Sequence, residues 1–371
     1  MTPYPYQTKH GKRYRVPYRT LDKQQRTKGG FRTKREARAW YRRKMVEMEN
    51  HGFSDNRKVT FADVAARWLE NKQHTVAGST YRKYLAEYRN HFKSAFGDRA
   101  IADITVNDCQ LLTYRWAGKI KSFSKLVNDA SSVFDLAIKY QFVHDNPFKR
   151  IERPRTHHHK KVRSFTVDEF NRFQRALTEY YQPRNYKAFA FLYLLSHTGL
   201  RKGELSALTW ASVDIKRGFL HIKKAVTRDK NNRLVIGPTK NIYSVRDVPI
   251  GDQTIAVLKK WRLVQQQELK MVNVNSVRPN QLVFTSQKGG ILTPSKPGKW
   301  LKTIEIKYDL PTYVTPHGLR HTYTSLLIDE DVPVNKVAAV LGHKDASITI
   351  QVYNDLHPVT DNSIGKVIEK V

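Results

Sequence analysis

Acidic residues are scarce in this sequence. Its 371 residues include 33 Asp and Glu against 66 Lys and Arg, so the formal net charge at pH 7 is +33 and the sequence pI is about 10.1. This excess is far larger than solubility requires. It predicts a polyanionic partner, and nucleic acid comes first because regularly spaced phosphates reward many weak basic contacts through counterion release.

Cysteine and long apolar runs are also scarce. Cys109 is the only cysteine, which excludes an intrachain disulfide and a metal site built from several cysteines, and which fits a reducing compartment. The most apolar segment, residues 188–196, is too short to cross a bilayer, and the first residues lack the apolar core of a signal peptide. A basic protein of the membrane surface is the alternative, but no basic amphipathic helix dominates. We therefore expect a soluble, cytoplasmic protein that has no membrane partner.

Changes in residue pattern divide the chain into four segments of a multidomain α+β fold. We predict a small strand-and-helix domain, a four-helix domain, a linker, and a mostly helical domain with a small antiparallel sheet. They span residues 1–56, 57–152, 153–164 and 165–371.

The first segment carries the densest positive charge. Residues 1–50 hold 15 Lys and Arg against 4 Asp and Glu, a net charge of 15 − 4 = +11. Alternation over residues 12–19 predicts a strand with two different faces. The packing face has Tyr14, Val16 and Tyr18, and the basic face has Arg13, Arg15 and Arg19. We interpret the basic face as a DNA contact, with an ordinary solvated charged face as the alternative.

A helix is predicted to complete this first segment. A turn at Gly29 and Gly30 should lead into a capping box that runs from Thr33 to Glu36. The segment would then be a strand-strand-helix unit with a basic outer surface.

Four helices are predicted in the second segment, and the first begins after an N-cap Thr60. The linker that follows contains His157, His158 and His159. A metal site is one interpretation of this tract. However, adjacent side chains of an extended chain point in alternating directions, and no carboxylate or cysteine cluster accompanies them. A solvated linker that touches the DNA backbone is the interpretation we favour.

The last segment mixes helices and strands. It begins with a capping box from Thr166 to Glu169, and two helices follow within residues 186–210. Three strands joined by polar turns are predicted next, and helices return from about residue 252 onward. The strands are predicted at residues 218–226, 233–240 and 244–250.

Arg201 follows directly after the first of these helices, in "HTGLRKGEL". At the start of a second helix, backbone N–H groups favour an anion, and a guanidinium group there can hold two phosphate oxygens. Glu204 lies three residues later on the same helical face, where it can orient a partner. A surface salt bridge between Arg201 and Glu204 is the alternative.

The stretch "TPHGLRHTYTS", residues 315–325, predicts another helix start, with Thr315 as N-cap and Pro316 at the first helical position. His317 and Arg320 then lie on one side of the first two turns. His317 and His321 also have the i, i+4 spacing of some zinc sites, but no Glu follows His317 and no third ligand is evident. Further on, a helix is predicted to end at Gly342, which leaves His343 exposed directly after it, and Tyr353 follows ten residues later.

These motifs, in this order and spacing, resemble the tyrosine recombinases, the integrase family of phages and conjugative elements. The resemblance covers about residues 165–355 and extends more loosely to the preceding segments, as in family members with an N-terminal arm-binding domain. It implies that Tyr353 attacks a DNA phosphodiester to form a 3′-phosphotyrosine. Neither a metal nor any other cofactor is implied.

The resemblance also implies roles for the remaining site residues. Arg201 and Arg320 would hold the phosphate oxygens, His317 would assist proton transfer, and His343 would donate a hydrogen bond to the phosphate. Lys240 would be the general acid, although it can instead be a DNA-binding lysine, and Lys223, Lys224 and Lys230 lie nearby in the sequence. Glu204 and His321 would support the site, and Lys202 would contact DNA.

The expected partner is double-stranded DNA with core and arm sites, bound by a homotetramer that integrates a mobile element through a Holliday junction. An excisionase and a DNA-bending host protein are implied as helpers. The apolar stripe of Ile364, Val367, Ile368 and Val371 packs either on its own domain or on a neighbouring subunit. Two rival functions are a type IB-like topoisomerase and a DNA-binding regulator that has lost the reaction.

Overall fold

The computed structural model describes most of the chain. The described residues are 2–9, 11–19, 25–51, 59–155, 163–239, 242–276, 278, 280–311, 314–345, 347, 349 and 350. They divide into two compact units, residues 1–158 and 159–371. The His157–His159 tract, Lys240, Tyr353 and the C-terminal apolar stripe lie outside the described residues.

The N-terminal part of the first unit is a three-stranded antiparallel sheet followed by a helix, in the sheet order β1-β2-β3. Its elements are β1 (Tyr4–Thr8), β2 (Gly11–Arg19), β3 (Gln25–Phe31) and α1 (Lys34–His51). The strand predicted over residues 12–19 is confirmed as β2. Val16 is fully buried, and Tyr18 packs edge to face on Trp40 with ring centroids 5.3 Å apart. Arg15 and Arg19 are exposed, whereas Arg13 is half-buried.

Three details of this part differ from the prediction. The sheet has three strands, whereas the predicted strand-strand-helix unit had two. Gly29 and Gly30 do not form a turn, because they lie inside β3, where the register with β2 shifts between the Tyr14 and Val16 pairs. The capping interaction is also displaced by one residue. Thr33 Oγ1 accepts the Glu36 amide at 3.1 Å as expected, but the Glu36 carboxylate accepts the amide of Arg32, at 2.9 Å, rather than that of Thr33.

The rest of the first unit is a helical bundle around an aromatic core. Its helices are α2 (Phe61–Thr75), α3 (Gly78–Glu87), α4 (Lys93–Phe96), α5 (Val106–Lys119) and α6 (Phe123–Lys139). A π-helix at Tyr88–Phe92 joins α3 to α4 without a break, so these two form the second of the four predicted helices. The predicted N-cap is confirmed, because Thr60 and Asp63 form a reciprocal capping box. The buried ring of Phe61 packs against Phe96 and Phe134, with centroids 5.6 and 5.8 Å apart.

The second unit is built around one apolar helix. Its helices are α7 (Val167–Arg184), α8 (Tyr186–Thr198), α9 (Lys202–Ala207), α10 (Asp252–Met271), α11 (Lys296–Lys307), α12 (Pro316–Asp329) and α13 (Val334–Leu341). Helix α8 is apolar on nearly every side because α7, α10, α11 and α12 surround it. The predicted capping box of Thr166 and Glu169 is confirmed at the start of α7. No helix in the described ranges is long and apolar enough to cross a membrane.

The strands of the second unit correct the predicted meander. They are β4 (Val213–Asp214), β5 (Phe219–Ile222), β6 (Lys224–Arg228), β7 (Leu234–Pro238) and β8 (Arg246–Pro249). The single strand predicted over residues 218–226 is wrong, because it divides at Lys223 into two strands of different sheets. Strand β5 pairs with β4 and β8, while β6 and β7 form a separate hairpin. That hairpin packs on α9, where a Cβ added at Gly203 would lie 3.1 Å from the carbonyl oxygen of Val226.

Candidate active site

Four places in the second unit supply the side chains of the candidate site. They are the junction of α8 and α9, the start of β8, the first turns of α12, and the residues that follow α13. Three guanidinium groups and one carboxylate from these places lie close together, and we call them the arginine cluster. Its members are Arg201, Arg246, Arg320 and Glu204.

A tight turn at Gly199 joins α8 to Arg201. Gly199 has φ of +59°, and a Cβ at this position would lie 2.5 Å from Cδ1 of Tyr323. Only glycine combines this left-handed backbone with so close a neighbour. The carbonyl oxygen of Gly199 accepts a hydrogen bond from Nη1 of Arg320 at 2.8 Å, so this turn also helps to place a second arginine.

Glu204 binds both the backbone and the side chain of Arg201. Its Oε1 accepts from the guanidinium Nη1 of Arg201 at 2.8 Å, and its Oε2 accepts the backbone N–H of Arg201 at 3.0 Å. That N–H is therefore occupied, in contrast to the anion-binding helix start that the sequence predicted. The pairing is not a surface salt bridge either, because the Glu204 side chain is only 3% exposed.

Arg246 is the site residue that sequence analysis missed. Its Nη2 donates to Oε2 of Glu204 at 3.0 Å, its Nη1 donates to the Ser244 carbonyl, and its Nε donates to the Val340 carbonyl. Burial opposes the charge of Glu204, but Arg246 and Arg201 together hold the pKa of this carboxyl below its usual value. One signal was available in the sequence: Arg246 lies two residues before the buried Val248, on the same face of the strand.

The predicted start of α12 is confirmed. Thr315 Oγ1 accepts the Gly318 amide at 3.1 Å, and Pro316 occupies the first helical position. A Cβ on Gly318 would lie 2.9 Å from the carbonyl oxygen of Arg163. Helix α12 can therefore lie this close to the backbone of Arg163 only because residue 318 is glycine. The side chain of His317 is exposed, whereas Arg320 is 2% exposed.

Arg320 is held by carbonyl groups from two other helix ends. Besides its bond to Gly199, its Nη2 donates to the Leu341 carbonyl at 2.7 Å and to Nε2 of His343 at 2.8 Å. Burial, with the nearby positive charges of Arg201 and Arg246, lowers the pKa of Arg320 to about 9. The guanidinium therefore remains charged at neutral pH, and within the described ranges no carboxylate forms an ion pair with it.

His343 follows α13 as predicted, because that helix ends at Leu341 and Gly342 adopts the left-handed conformation. Its ring is half-buried rather than exposed. Nε2 faces Arg320, and Nδ1 lies 2.7 Å from Oγ1 of Thr349. Burial and the neighbouring arginines lower the pKa of His343 to about 4, so the ring is neutral at neutral pH.

His317 and His321 pack edge to face, with ring centroids 4.6 Å apart. Partial desolvation and the charges of Arg320, Arg201 and Lys202 lower the pKa of His317. Burial, His317 and Arg320 lower the pKa of His321 to about 4. As far as the structure describes the chain, it contains no group of three or more His, Cys, Asp or Glu that could hold a metal ion.

The lysines near the site are exposed. Lys202 lies at the start of α9, and Lys223, Lys224 and Lys230 lie in or beside the β6–β7 hairpin. Strand β7 ends at Pro238, two residues before Lys240. Lys240 and Tyr353 lie outside the described residues, so their assigned roles stay predictions.

The arginine cluster has an excess of positive charge. Its three guanidinium groups and one carboxylate leave a net charge of 3 − 1 = +2. The neighbouring His317, His321 and His343 add no charge at neutral pH, because their pKa values are lowered. Guanidinium groups suit phosphate oxygens because they are planar and offer several donors. This arrangement can bind a phosphodiester and stabilise the additional negative charge of a pentacoordinate transition state.

Two parts of the chain match known protein families. Residues 163–358 match the phage integrase family, and residues 60–116 match the N-terminal SAM-like domain of phage integrases. The first match covers more than half of the 371 residues.

Similar proteins match over most of their length. A tyrosine recombinase XerC-like protein of Caldanaerobacter subterraneus subsp. tengcongensis is 29% identical over 350 residues, 88% of this chain and 87% of that protein. The ICEBs1 integrase of Bacillus subtilis is 26% identical over 344 residues, 90% of this chain and 89% of that protein. The structure of a lambda integrase tetramer bound to a Holliday junction has a TM-score of 0.60 at 18% identity, covers 96% of both chains, and shows the same fold.

Proposed function

The chain belongs to the phage integrase family and is a tyrosine site-specific recombinase, and we propose that it integrates a mobile element by cutting and rejoining DNA through a 3′-phosphotyrosine. The observation that carries the proposal is the net charge of +2 in the arginine cluster, beside histidines that are neutral at neutral pH. The cluster supplies the positive charge that two-metal nucleases obtain from cations.

Tyr353 is the proposed nucleophile. Its phenolic oxygen forms a bond to the scissile phosphorus while the bond from phosphorus to the 5′ oxygen breaks. The products are a 3′-phosphotyrosine and a free 5′-hydroxyl. Because the phosphodiester bond is exchanged for another phosphodiester, a 5′-hydroxyl from the second duplex reverses the step and needs no ATP.

Two protons move in this reaction. His317 accepts the proton of the attacking tyrosine, a role that its exposure and its lowered pKa support, because a general base must be neutral and within reach of the substrate. Lys240 donates a proton to the leaving 5′ oxygen. The β6–β7 hairpin, which ends two residues before Lys240, packs on α9, and α9 begins next to Arg201.

Arg201 and Arg320 bind the non-bridging phosphate oxygens. Arg201 is 37% exposed and is oriented by the buried Glu204, so it can meet DNA without losing its anchor. Arg320 is buried and charged, and a phosphate would supply the ion-pair partner that it lacks among the described residues. His343 donates to the phosphate, and His321 supports His317.

The proposed assembly is a homotetramer on two DNA duplexes that proceeds through a Holliday junction. A related integrase structure is a tetramer on such a junction, and a relative of similar length is the ICEBs1 integrase, which supports a mobile-element role. We assign residues 57–152 and 165–371 to the core site and residues 1–56 to arm sites, with Arg13, Arg15 and Arg19 as contacts. An excisionase and a DNA-bending protein would control direction.

The decisive experiment uses the full chain and a nicked duplex that carries the attachment site, which is read from the ends of the integrated element. The nick releases the 5′-hydroxyl fragment and traps the covalent product. We expect a denaturant-resistant protein–DNA adduct from the wild-type protein and none from Tyr353→Phe. No wild-type adduct would support the regulator, whereas relaxation of a plasmid that lacks the site, with no recombinant product, would support the topoisomerase.

A further inference from the structure

Three side chains form a continuous hydrogen-bonded chain behind the phosphate site. Nη2 of Arg320 lies 2.8 Å from Nε2 of His343, and Nδ1 of His343 lies 2.7 Å from Oγ1 of Thr349. Arg320 and Thr349 are 2% and 0% exposed, so bulk water has little access to either end of the chain. Thr349 was not singled out by any sequence motif, and it lies four residues before Tyr353.

The hydrogen bonds determine the tautomer of His343. A guanidinium group has only donors, so Nε2 must accept the bond from Arg320 and carries no proton. A neutral imidazole then carries its proton on Nδ1, which donates to Thr349 Oγ1. The neutral state follows from burial and the surrounding positive charge, which lower the pKa of His343 to about 4.

This tautomer is the wrong one for binding phosphate. The oxygens of a phosphodiester are acceptors, and the only nitrogen of His343 that faces Arg320 and the phosphate site is Nε2. For Nε2 to donate, it must take a proton from water while Nδ1 releases one to water, with no change in net charge. The His343 ring is half-buried, so water can reach it. Nδ1 then needs a donor, and its partner in the structure is the Thr349 hydroxyl.

We propose that Thr349 is a positioning residue that holds His343 in either tautomer, because its hydroxyl changes from acceptor to donor when a phosphate replaces His343 as the partner of Arg320. A hydroxyl rotates about its C–O bond and can serve in both roles, which neither a backbone carbonyl nor a carboxylate can do. The inference rests on the proposed function, since it takes the scissile phosphate as the ligand of Arg320.

The proposal also explains why His343 is not simply protonated. An imidazolium ion could donate from both nitrogens, but it would be a further positive charge beside Arg201, Arg246 and Arg320, all of which lower its pKa. Exchange of the proton between the two ring nitrogens avoids that cost. The arrangement therefore keeps Arg320 satisfied in the absence of DNA and makes His343 a donor only when phosphate is present.

The first test is spectroscopic. Long-range proton–nitrogen NMR spectra of the full chain, labelled with ¹⁵N-histidine, distinguish a protonated from an unprotonated ring nitrogen, and a His343→Asn sample identifies the His343 signals. We expect the proton on Nδ1 in the DNA-free protein. We expect it on Nε2 when the nicked duplex is added to the Tyr353→Phe variant, which cannot form the covalent adduct. A proton on Nε2 before DNA is added, or no change on binding, would overturn the proposal.

The second test uses variants of Thr349 in the trapped-adduct reaction. Thr349→Val keeps the shape but removes the hydroxyl, and we expect the rate of adduct formation at saturating DNA to fall about tenfold or more while DNA affinity is retained. Thr349→Ser should restore most of the rate. The matched control is Thr113→Val, since Thr113 is also fully buried and its hydroxyl donates to the Cys109 carbonyl of its own helix.

These experiments distinguish a failure of the proposed recombinase function from a failure of the role proposed for Thr349. If the wild-type protein forms no adduct, the proposed function fails, whatever the tautomer in the free protein. If the wild-type protein forms the adduct and Thr349→Val forms it at the same rate, the role of Thr349 is wrong and the recombinase assignment stands. A rate loss that Thr349→Ser does not restore would likewise contradict the hydroxyl role.

Discussion

Arg246 Nη2 donates to Glu204 Oε2 at 3.0 Å, and the two side chains are only 6% and 3% exposed. The same carboxylate binds Arg201, so a strand residue controls how an arginine of the preceding helix is presented. Glu204 and Arg246 are 42 residues apart in the sequence. The orientation of Arg201 therefore depends on the correct docking of β8 against α9.

Arg246→Ala should destabilise the second unit and slow adduct formation. The change leaves Glu204 buried with one arginine and removes the bonds to the Ser244 and Val340 carbonyls. Breaking such a pair costs about 3–5 kcal/mol. Urea unfolding measures this loss. Arg172→Ala, which changes an exposed arginine on α7, is the control and should cost well under about 1 kcal/mol.

The same pair provides an internal check. If the cost of Arg246→Ala comes from the uncompensated charge of Glu204, adding Glu204→Gln should recover part of the lost stability, since a neutral amide is cheaper to bury. A double variant that is less stable than Arg246→Ala would show that packing, not charge, dominates. The double variant is not expected to recover the wild-type rate of adduct formation, because Arg201 loses its carboxylate partner in it.

The acid limb of the cleavage rate should reflect His317. Its pKa is lowered from the ordinary 6.5 by partial desolvation and by Arg320, Arg201 and Lys202. A base must be neutral to accept a proton, so activity is present above this pKa and is lost as the pH falls through it. We expect the single-turnover rate to hold down to about pH 6.5 and to fall below it. A His317→Asn variant should be slower and should lack this limb; an unchanged limb would assign it to another group.

Glu305 should make the protein less stable as the pH rises. The residue is 1% exposed on α11, its Oε1 has no hydrogen-bond partner among the described atoms, and burial raises its pKa to about 7. The folded-state pKa lies above the ordinary 4.5, so ionisation is costly in the native state. The penalty is negligible below pH 4.5, grows between about pH 4.5 and 7, and is complete above pH 7.

Glu305→Gln should therefore raise the free energy of unfolding at pH 8 by up to about 3 kcal/mol and have little effect near pH 4.5. Urea unfolding at both pH values measures the difference. Glu330→Gln changes an exposed carboxyl and serves as the control, with an expected effect near zero at either pH. Equal effects of Glu305→Gln at the two pH values would mean that the carboxyl is not desolvated in solution.

Arg15 and Arg19 should contribute to DNA affinity by neutralising phosphates. Both are exposed on β2, on the basic face of the strand. Replacing both with alanine should reduce the slope of log affinity against log salt by about 0.9 for each phosphate that an arginine no longer neutralises, so by nearly 2 in total on arm-site DNA. Binding to an isolated core site should be unchanged. An unaltered salt slope on arm-site DNA would remove these residues from the interface.

The parts of the fold that were predictable are those determined by local interactions. The caps at Thr60, Thr166 and Thr315 were predicted correctly because each depends on groups within three or four residues of one another. The division of residues 218–226 into β5 and β6 was not predictable, because it depends on pairing with β8 and on packing against α9. Periodicity indicates which residues can form a strand but not which neighbouring strand they pair with.

The site residues also divide into those that local sequence motifs reveal and those that they do not. Arg201, His317, Arg320 and His343 lie in compact motifs, and the sequence identified each of them. Arg246 contacts Glu204, 42 residues away, and short motifs do not record such contacts. Thr349 contacts His343 only six residues away, but no motif that we recognised includes it. The inward position of Arg246 beside Val248 was the one local signal, and its meaning depends on knowing that Glu204 lies opposite.

The carbonyl groups that hold Arg320 have a consequence for the synthesis of the protein. One comes from Gly199, 121 residues earlier, and the other from Leu341, 21 residues later. A chain still attached to the ribosome with residue 341 inside the exit tunnel can already display its basic N-terminal sheet, yet it cannot hold this arginine in place. The arginine cluster can therefore be completed only after translation has passed residue 341, long after the N-terminal sheet has left the ribosome.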